Sequence, residues 1–300
     1  MPQRILHRLS AVVLPVFLVL VGMSNLPSLA DESVKALQDK ASALALQKQY
    51  ASAREVYARI LERDPANSEA LYRMGVLWSI DKDDTKAIEY LEKSLKVDPS
   101  RYDAWKRLGD LRIEVNRFRE AAEAYGRAYQ IQAGRDVREK EGVAWLSARE
   151  FARANEAFTE LILQDPGDYH AIYYYGNLLL AQGEPERAAR CYEAAVKLKP
   201  ELVEACINLA AVRFGQQRFD EAAQLLEKSL TAVPFSAPYD PKVRFNLGLA
   251  YLKSGDPAKA RDNLEKYLEL CPSCPQVDQV KGLLNRIERG DGTGTGKEKK

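Results

Sequence analysis

The sequence predicts an all-α solenoid, an array of helix pairs that repeats with a period near 34 residues. Prolines recur at intervals of 34, 67, 34, 34 and 38 residues, and the interval of 67 holds two repeats with Ala133 in place of the middle proline. These prolines are Pro65, Pro99, Pro166, Pro200, Pro234 and Pro272. A fixed period of this length, with small and large residues at constant places, is typical of stacked helix pairs.

The repeats share one pattern of small and large residues when each is numbered with its proline at position 32. They span 34–67, 68–101, 102–134, 135–168, 169–202, 203–236 and 241–274. Position 8 is always small: Ala41, Gly75, Gly109, Gly142, Gly176, Ala210 and Gly248. Position 20 is always alanine: Ala53, Ala87, Ala121, Ala154, Ala188, Ala222 and Ala260. Position 24 is always large: Tyr57, Leu91, Tyr125, Phe158, Tyr192, Leu226 and Leu264. Small residues let two helices approach closely, and the large residue fills the volume around that contact.

At these positions the chain resembles the tetratricopeptide repeat family. Trp105-x-x-Leu108-Gly109 followed by Ala121 is a close match to its motif, and the resemblance covers residues 34–272. The resemblance implies a right-handed α-solenoid of helix-turn-helix repeats that acts as a scaffold for protein–protein interaction. It also implies that the first helices of the pairs line a concave groove, into which positions 2, 5, 6, 9, 12 and 13 point.

Three segments flank or interrupt the repeats. Residues 275–289 predict an amphipathic helix that caps the last repeat, because their apolar residues form one stripe. Residues 290–300 are polar and glycine-rich, which predicts a disordered tail. The insertion Phe235–Pro241 predicts a surface loop, interpreted either as a longer turn that packs locally or as a contact point for a partner.

The first thirty residues have the organisation of a secretory signal peptide. Arg4 and Arg8 precede the apolar run Leu9–Met23, and small residues before Asp31 suit cleavage after Ala30. The apolar run is shorter than the roughly 20 residues that span a bilayer. We therefore expect an exported protein of the periplasm or cell envelope that takes part in an assembly or secretion process there, with an uncleaved membrane anchor as the alternative.

The composition argues against nucleic-acid binding and against catalysis. The chain has 44 Lys and Arg residues against 43 Asp and Glu, so it has no basic excess to attract nucleic acid. His170 is the one histidine after the signal segment, and no nucleophile, phosphate-loop or metal-ligand motif occurs. We therefore predict a non-enzymatic protein with no catalytic residue, no metal site and no cofactor.

Four cysteines are candidates for disulfides in an exported protein. Cys191 and Cys206 fall on consecutive helices on either side of a turn, where a bridge and two free thiols are equally compatible with the sequence. Cys271 and Cys274 form a C-x-x-C before the capping helix. Their structural interpretation is a small disulfide or a thiol pair at the cap, and the alternative is a thiol–disulfide redox helper.

The family resemblance places partner-binding side chains along the groove. The first half of the groove is expected to be mainly acidic, with Glu69, Tyr72, Asp103, Lys106, Asp110, Glu114, Asp136 and Glu139. The second half is rich in aromatic and amide side chains. Its candidate binding residues are Tyr173, Asn177, Ile207, Asn208, Lys242, Phe245 and Asn246. Amides that both donate and accept hydrogen bonds suit an extended peptide backbone, with aromatic residues as apolar anchors, so the predicted partner is a protein or an extended peptide.

Overall fold

A computed structural model describes residues 32–232 and 240–290, and these contain fifteen α-helices and no strand. The first helices of the pairs are α1 Val34–Leu46, α3 Ser68–Ile80, α5 Tyr102–Glu114, α7 Arg135–Ser147, α9 Tyr169–Ala181, α11 Val203–Gly215 and α13 Asp240–Ser254. The second helices are α2 Tyr50–Arg63, α4 Asp84–Val97, α6 Phe118–Ile131, α8 Phe151–Gln164, α10 Pro185–Leu198, α12 Phe219–Ala232 and α14 Pro257–Leu270. Helix α15, Val277–Glu288, follows them. The prediction of an all-α solenoid is confirmed. The predicted signal peptide, most of the inserted loop and nearly all of the tail lie outside the described residues.

The helices stack in chain order. Each second helix packs between its own first helix and the first helix of the next pair, and first helices of neighbouring pairs also touch, as α3 with α5 and α7 with α9. The small residues at positions 8 and 20 are buried at these contacts. In the fifth pair, Ala188 and Tyr192 are both completely buried, and a Cβ placed on Gly176 would lie 2.6 Å from Cε1 of Tyr192. Because real Cβ contacts are never this short, glycine sets the spacing of α9 and α10.

A left-handed residue ends the first helix of every pair. Position 15 has a positive φ in all seven repeats: Lys48, Lys82, Asn116, Arg149, Gly183, Gln217 and Gly255. The next N–H bonds back across the turn, as Glu150 N–H does to the carbonyl of Trp145 at 2.9 Å. This is the hydrogen bond of a Schellman cap, which satisfies helix carbonyls and turns the chain into the second helix. Five of the seven positions lack the glycine that favours this backbone.

We expect Arg149→Gly to stabilise the protein. Arg149 is exposed and has a φ of 61°, a conformation that costs a residue with a Cβ about 1–2 kcal/mol. Part of this gain is offset by the greater backbone entropy of unfolded glycine, so the free energy of unfolding should rise by roughly 0.5–1 kcal/mol in urea denaturation. Asn116→Gly is the matched control and should gain less, because asparagine tolerates this region better. An equal gain at both sites would contradict the explanation.

Helix α15 covers the apolar end of the last pair. Val280 is completely buried against Leu264 and Tyr267, with further apolar residues of α15 packed around them. When Pro275 is counted as position 1 of a further repeat, Asp278, Lys281 and Asn285 occupy the positions that would face a second helix. All three are exposed. Helix α15 therefore has the place of the first helix of an eighth pair, with a solvent-exposed surface where a second helix would pack.

Candidate binding groove

Three of the predicted binding residues form one hydrogen-bonded cluster on the groove side of α9 and α11. Oδ1 of Asn177 accepts hydrogen bonds from the Tyr192 hydroxyl at 2.8 Å and from Nδ2 of Asn208 at 2.9 Å. Nδ2 of Asn208 also donates to the Tyr173 hydroxyl at 3.4 Å. Nδ2 of Asn177 and Oδ1 of Asn208 make no hydrogen bond to a described residue. The cluster therefore fixes both amides and presents the amide NH2 group of Asn177 as a donor and the amide oxygen of Asn208 as an acceptor to a ligand.

The prediction that Ile207 lines the groove is wrong. Its side chain is only 3% exposed and packs with Val203, Leu226 and Leu247 in the core between α11, α12 and α13. A branched apolar side chain at this position reaches the neighbouring pair and is enclosed by it. Ile207 therefore holds two pairs together and cannot contact a peptide.

The three candidate residues on α13 have different environments. Lys242 is exposed, and Asn246 is half-buried. Phe245 is also half-buried, with its ring centroid 5.6 Å from that of Tyr267 and its side chain packed against the cluster under α15. Phe245 thus serves the packing of the last pair as well as the groove wall.

An apolar pocket of about 140 Å³ opens between α11 and α13. It is lined on one side by Ala211 and Phe214 and on the other by Asn246 and Leu249. Ala211 is exposed and lies one helical turn beyond Asn208, so the pocket adjoins the amide cluster. The sequence interpretation missed Ala211 and Leu249, although both occupy groove position 9. A pocket for one apolar side chain therefore lies beside the groups suited to a peptide backbone.

The first half of the groove is more balanced in charge than the sequence interpretation suggested. Glu69 is bound by Arg73 and Arg101, each at 2.6 Å. The carboxylates of Asp110 and Asp136 are likewise bound by Lys140 at 2.6 Å and Lys106 at 2.7 Å. Groove position 6 of repeats two to four adds three cations, Arg73, Arg107 and Lys140. The prediction of a mainly acidic first half did not include them.

One arginine joins two carboxylates at the boundary of the fourth and fifth repeats. Arg135 donates two hydrogen bonds of 2.7 Å to Asp168 and one of 2.7 Å to Glu139. Asp168 is also the N-cap of α9, accepting from the N–H groups of His170 and Ala171. Burial acts to raise the pKa of Asp168, but the bonds from Arg135 and the backbone outweigh it and the net pKa is lowered. Asp168 therefore stays ionised and locks the start of α9.

The cysteines divide into one disulfide and two free thiols. Cys271 and Cys274 form a disulfide that joins the end of α14 to the segment before α15. Cys191 and Cys206 are not bonded to each other, because they pack in two different apolar clusters of α9, α10 and α11. Burial raises the pKa of both free thiols, which keeps them protonated and unreactive.

Neither a metal cluster nor a membrane span is found in residues 32–232 and 240–290. No group of three His, Cys, Asp or Glu side chains in these ranges is arranged to hold a metal ion. None of the helices there is long and apolar enough to cross a bilayer. His170 lies on the first turn of α9, with its ring 4.6 Å from that of Tyr169 and 6.4 Å from that of Tyr174.

Comparisons with known proteins agree with this architecture. Four family models described as tetratricopeptide repeat match residues 34–77, 68–101, 85–136, 140–202 and 203–273. Anaphase-promoting complex subunit 7 of Arabidopsis thaliana is 23% identical over 261 residues, which are 86% of this chain and 45% of that protein. BBSome complex member BBS4 of Bos taurus is 24% identical over 243 residues, 80% of this chain and 46% of that protein. This chain therefore spans less than half the length of these two curated relatives.

Solved structures show the same fold. A tetratricopeptide repeat protein from Parabacteroides merdae aligns with a TM-score of 0.60 at 15% identity, over 85% of this chain and 98% of that one. The C-terminal part of a repeat protein from Cytophaga hutchinsonii also aligns with a TM-score of 0.60, at 17% identity, over 81% and 98% of the two chains. The family models together cover nearly all of the helical pairs. This chain belongs to the tetratricopeptide repeat family.

Proposed function

We propose that this protein is an exported, non-enzymatic scaffold that binds an extended peptide segment of a partner protein in the groove of repeats five to seven. Solenoids of this family act through the surfaces that they offer to other proteins. The observation that carries the proposal is the position of the Asn177 and Asn208 amides beside the apolar pocket of Phe214 and Leu249. A peptide backbone would bond to the amides while one of its apolar side chains fills the pocket.

Selection from a random peptide library displayed on phage tests the peptide binding. The immobilised full chain should enrich a set of related peptides, and Ala211→Arg should abolish the enrichment because the arginine fills the pocket. Leu163→Arg is the matched control, since it adds the same side chain at a helix position that is 83% exposed and does not line the pocket. No enrichment by the unaltered chain, or an equal loss in both variants, would refute the proposal.

Export is supported by the N-terminal sequence and by the cysteine pairing. The charged and apolar segments before Asp31 suit a secretory signal, and a disulfide such as Cys271–Cys274 persists in oxidising compartments. Sequencing the N-terminus of the protein from each cell fraction tests this. A periplasmic form beginning at Asp31 is expected. An intact N-terminus in the membrane fraction would support an anchor, and one in the cytoplasm would refute export.

The alternative function, thiol–disulfide exchange through Cys271 and Cys274, is distinguished by its chemistry. Both residues are half-buried, and their disulfide ties α15 to the last pair, which favours a structural role. The reduced chain should therefore exchange only slowly with a small disulfide. A low thiol pKa with fast exchange would favour the redox helper instead.

A further inference from the structure

The fifth repeat carries a group of aromatic rings on its groove side. His170, Tyr173 and Tyr174, which we name the aromatic platform, occupy groove positions 2, 5 and 6 of α9. The ring centroids of Tyr173 and Tyr174 are 5.1 Å apart, and those of His170 and Tyr174 are 6.4 Å apart. All three side chains are half-buried. The buried rings of Phe158 and Tyr192 lie 5.9 Å from Tyr174 and 6.0 Å from Tyr173, so the platform rests on a packed core.

The platform borders an open part of the groove. A cavity of about 490 Å³ lies between α5, α7 and α9, and Tyr174 forms its wall on the α9 side. Glu139 and Lys140 line the same cavity from α7, and Asp110 lines it from α5. A ligand in this cavity can therefore reach the side chain of Tyr174.

Comparable tyrosines elsewhere in the chain already have a cation over their rings. Tyr72 occupies the same repeat position as Tyr173, and the guanidinium carbon atoms of Arg101 and Arg73 lie 5.2 and 5.6 Å from its ring centroid. Tyr102 has the ammonium of Lys106 at 5.9 Å. Over Tyr173 and Tyr174, by contrast, no lysine or arginine of the described segments is placed. Since the face of an aromatic ring attracts cations, the platform offers such a face to a ligand.

Carboxylates outnumber cations at the groove positions around the platform. Repeat five has no aspartate, glutamate, lysine or arginine at its groove positions, and the flanking repeats contribute more carboxylates than cations there. The groove positions of repeats three to six carry six carboxylates, Asp103, Asp110, Glu114, Asp136, Glu139 and Glu204, and three cations, Lys106, Arg107 and Lys140. Burial raises the pKa of Tyr174, and Glu139, Tyr173 and Glu204 raise it further against the opposing effect of Arg135, which is bound to Glu139.

We propose that the groove of repeats four to six binds a basic, extended peptide, with one arginine or lysine side chain lying on the aromatic platform. This inference rests on the proposed function and names the chemistry of its ligand. Asn177 lies one turn from Tyr173 and Tyr174 on α9, and Asn208 on α11 donates to the Tyr173 hydroxyl, so the two amides can bind the peptide backbone next to the cation. The excess of carboxylates attracts the basic segment, and the rings select a cation that stacks over them.

Fluorescence anisotropy with three labelled twelve-residue peptides tests this proposal. The peptides repeat Ala-Arg-Ser, Ala-Gln-Ser or Ala-Glu-Ser, so that they differ only in the charge of one residue in three. The full chain should bind the arginine peptide at least about tenfold more tightly than the glutamine peptide, and the glutamate peptide least. Added salt should weaken the binding of the arginine peptide more than that of the other two peptides.

Two variants locate the binding. Tyr174→Leu keeps an apolar side chain but removes the ring face. This variant should bind the arginine peptide about tenfold more weakly, and its affinity for the glutamine peptide should be unchanged. Tyr72→Leu is the matched control and should have no effect on either peptide, because the ring of Tyr72 is already covered by Arg73 and Arg101. Circular dichroism verifies that both variants are folded.

The outcomes separate this inference from the proposed function. Equal binding of the arginine and glutamine peptides, tighter binding of the glutamate peptide, or equal losses in the two tyrosine variants would overturn the basic-peptide proposal. Absence of binding by the arginine peptide would overturn it as well. In each case, neutral peptides enriched from the phage library by the pocket of Phe214 and Leu249 would still support the proposed function. Failure of the library selection together with absence of binding by the arginine peptide would refute both.

Discussion

Arg138→Ala is expected to lower the free energy of unfolding by about 3 kcal/mol in urea denaturation. Arg138 donates to Glu141 at 2.8 Å and to Glu160 at 2.6 Å, and its guanidinium lies 5.0 Å from the ring centroid of Tyr129. Glu141 is only 8% exposed, with the indole N–H of Trp145 as its other partner at 3.3 Å. Without Arg138, the Glu141 carboxylate is left in a closed site with one weak donor, which is the condition under which a buried charge is most costly.

The double variant Arg138→Met with Glu141→Leu is the control for this ion pair. In the other pairs, positions 4 and 7 are largely apolar, as Leu71 and Met74 are in the second repeat. Restoring that combination removes both charges together, so most of the stability lost in Arg138→Ala should return. If the double variant were no more stable than Arg138→Ala, the unpaired carboxylate of Glu141 would not be the cause of the loss.

The fourth repeat contains a buried carboxylate whose compensating residues cannot be predicted from the repeat pattern. Glu141 departs from the apolar residues that most repeats carry at position 7, but the sequence does not indicate which residues compensate for it. Glu160 lies on the next helix, and Gly126 on the preceding one leaves the space that the carboxylate uses, since a Cβ there would lie 3.1 Å from Oε1 of Glu141. These compensations occur at different repeat positions on three helices. Only the packing of α6, α7 and α8 brings them together.

Periodicity predicts the helices more completely than it predicts the turns. Small and large residues at positions 8, 20 and 24 are constant in all seven repeats, and they specify which faces of the helices meet. The left-handed residue at position 15 was not recognised, because only Gly183 and Gly255 carry the residue that marks it. At the other five turns, the hydrogen bonds of the cap and the packing of both helices impose the backbone conformation on ordinary side chains.

The repeat pattern predicts only some of the groove residues, because it does not specify how neighbouring repeats cover each other. Position numbers carried over from the family correctly indicate that Asn177 and Asn208 lie together, because both belong to first helices of adjacent pairs. The same numbers placed Ile207 in the groove, although the neighbouring pair encloses it. Position defines the direction of a side chain from its own helix. Exposure also depends on the side chains of the next repeat, which a repeat pattern does not specify.

Gly176→Val is expected to lower the free energy of unfolding by about 3 kcal/mol, measured by urea denaturation. A Cβ at this position would lie 2.6 Å from Cε1 and 2.9 Å from Cδ1 of Tyr192, whose side chain is completely buried. The ring has no free space to move into, and its hydroxyl holds Asn177, so the groove amides should shift with it. Valine is the informative substitution because Ala41 and Ala210 show that two other pairs accommodate a single methyl at the same place.

Gly282→Val is the matched control, since Gly282 has the same repeat position on α15. An added Cβ there would meet no atom within 4 Å, because the surface that a second helix would cover is exposed. Valine and glycine differ little in helix propensity, so we expect stability to change by less than about 0.5 kcal/mol. If both variants lost stability equally, the cost would lie in the helix backbone and not in the spacing of paired helices. A loss confined to Gly176→Val would establish that the gap left by glycine sets how closely α9 and α10 pack, and with it the placement of the groove amides.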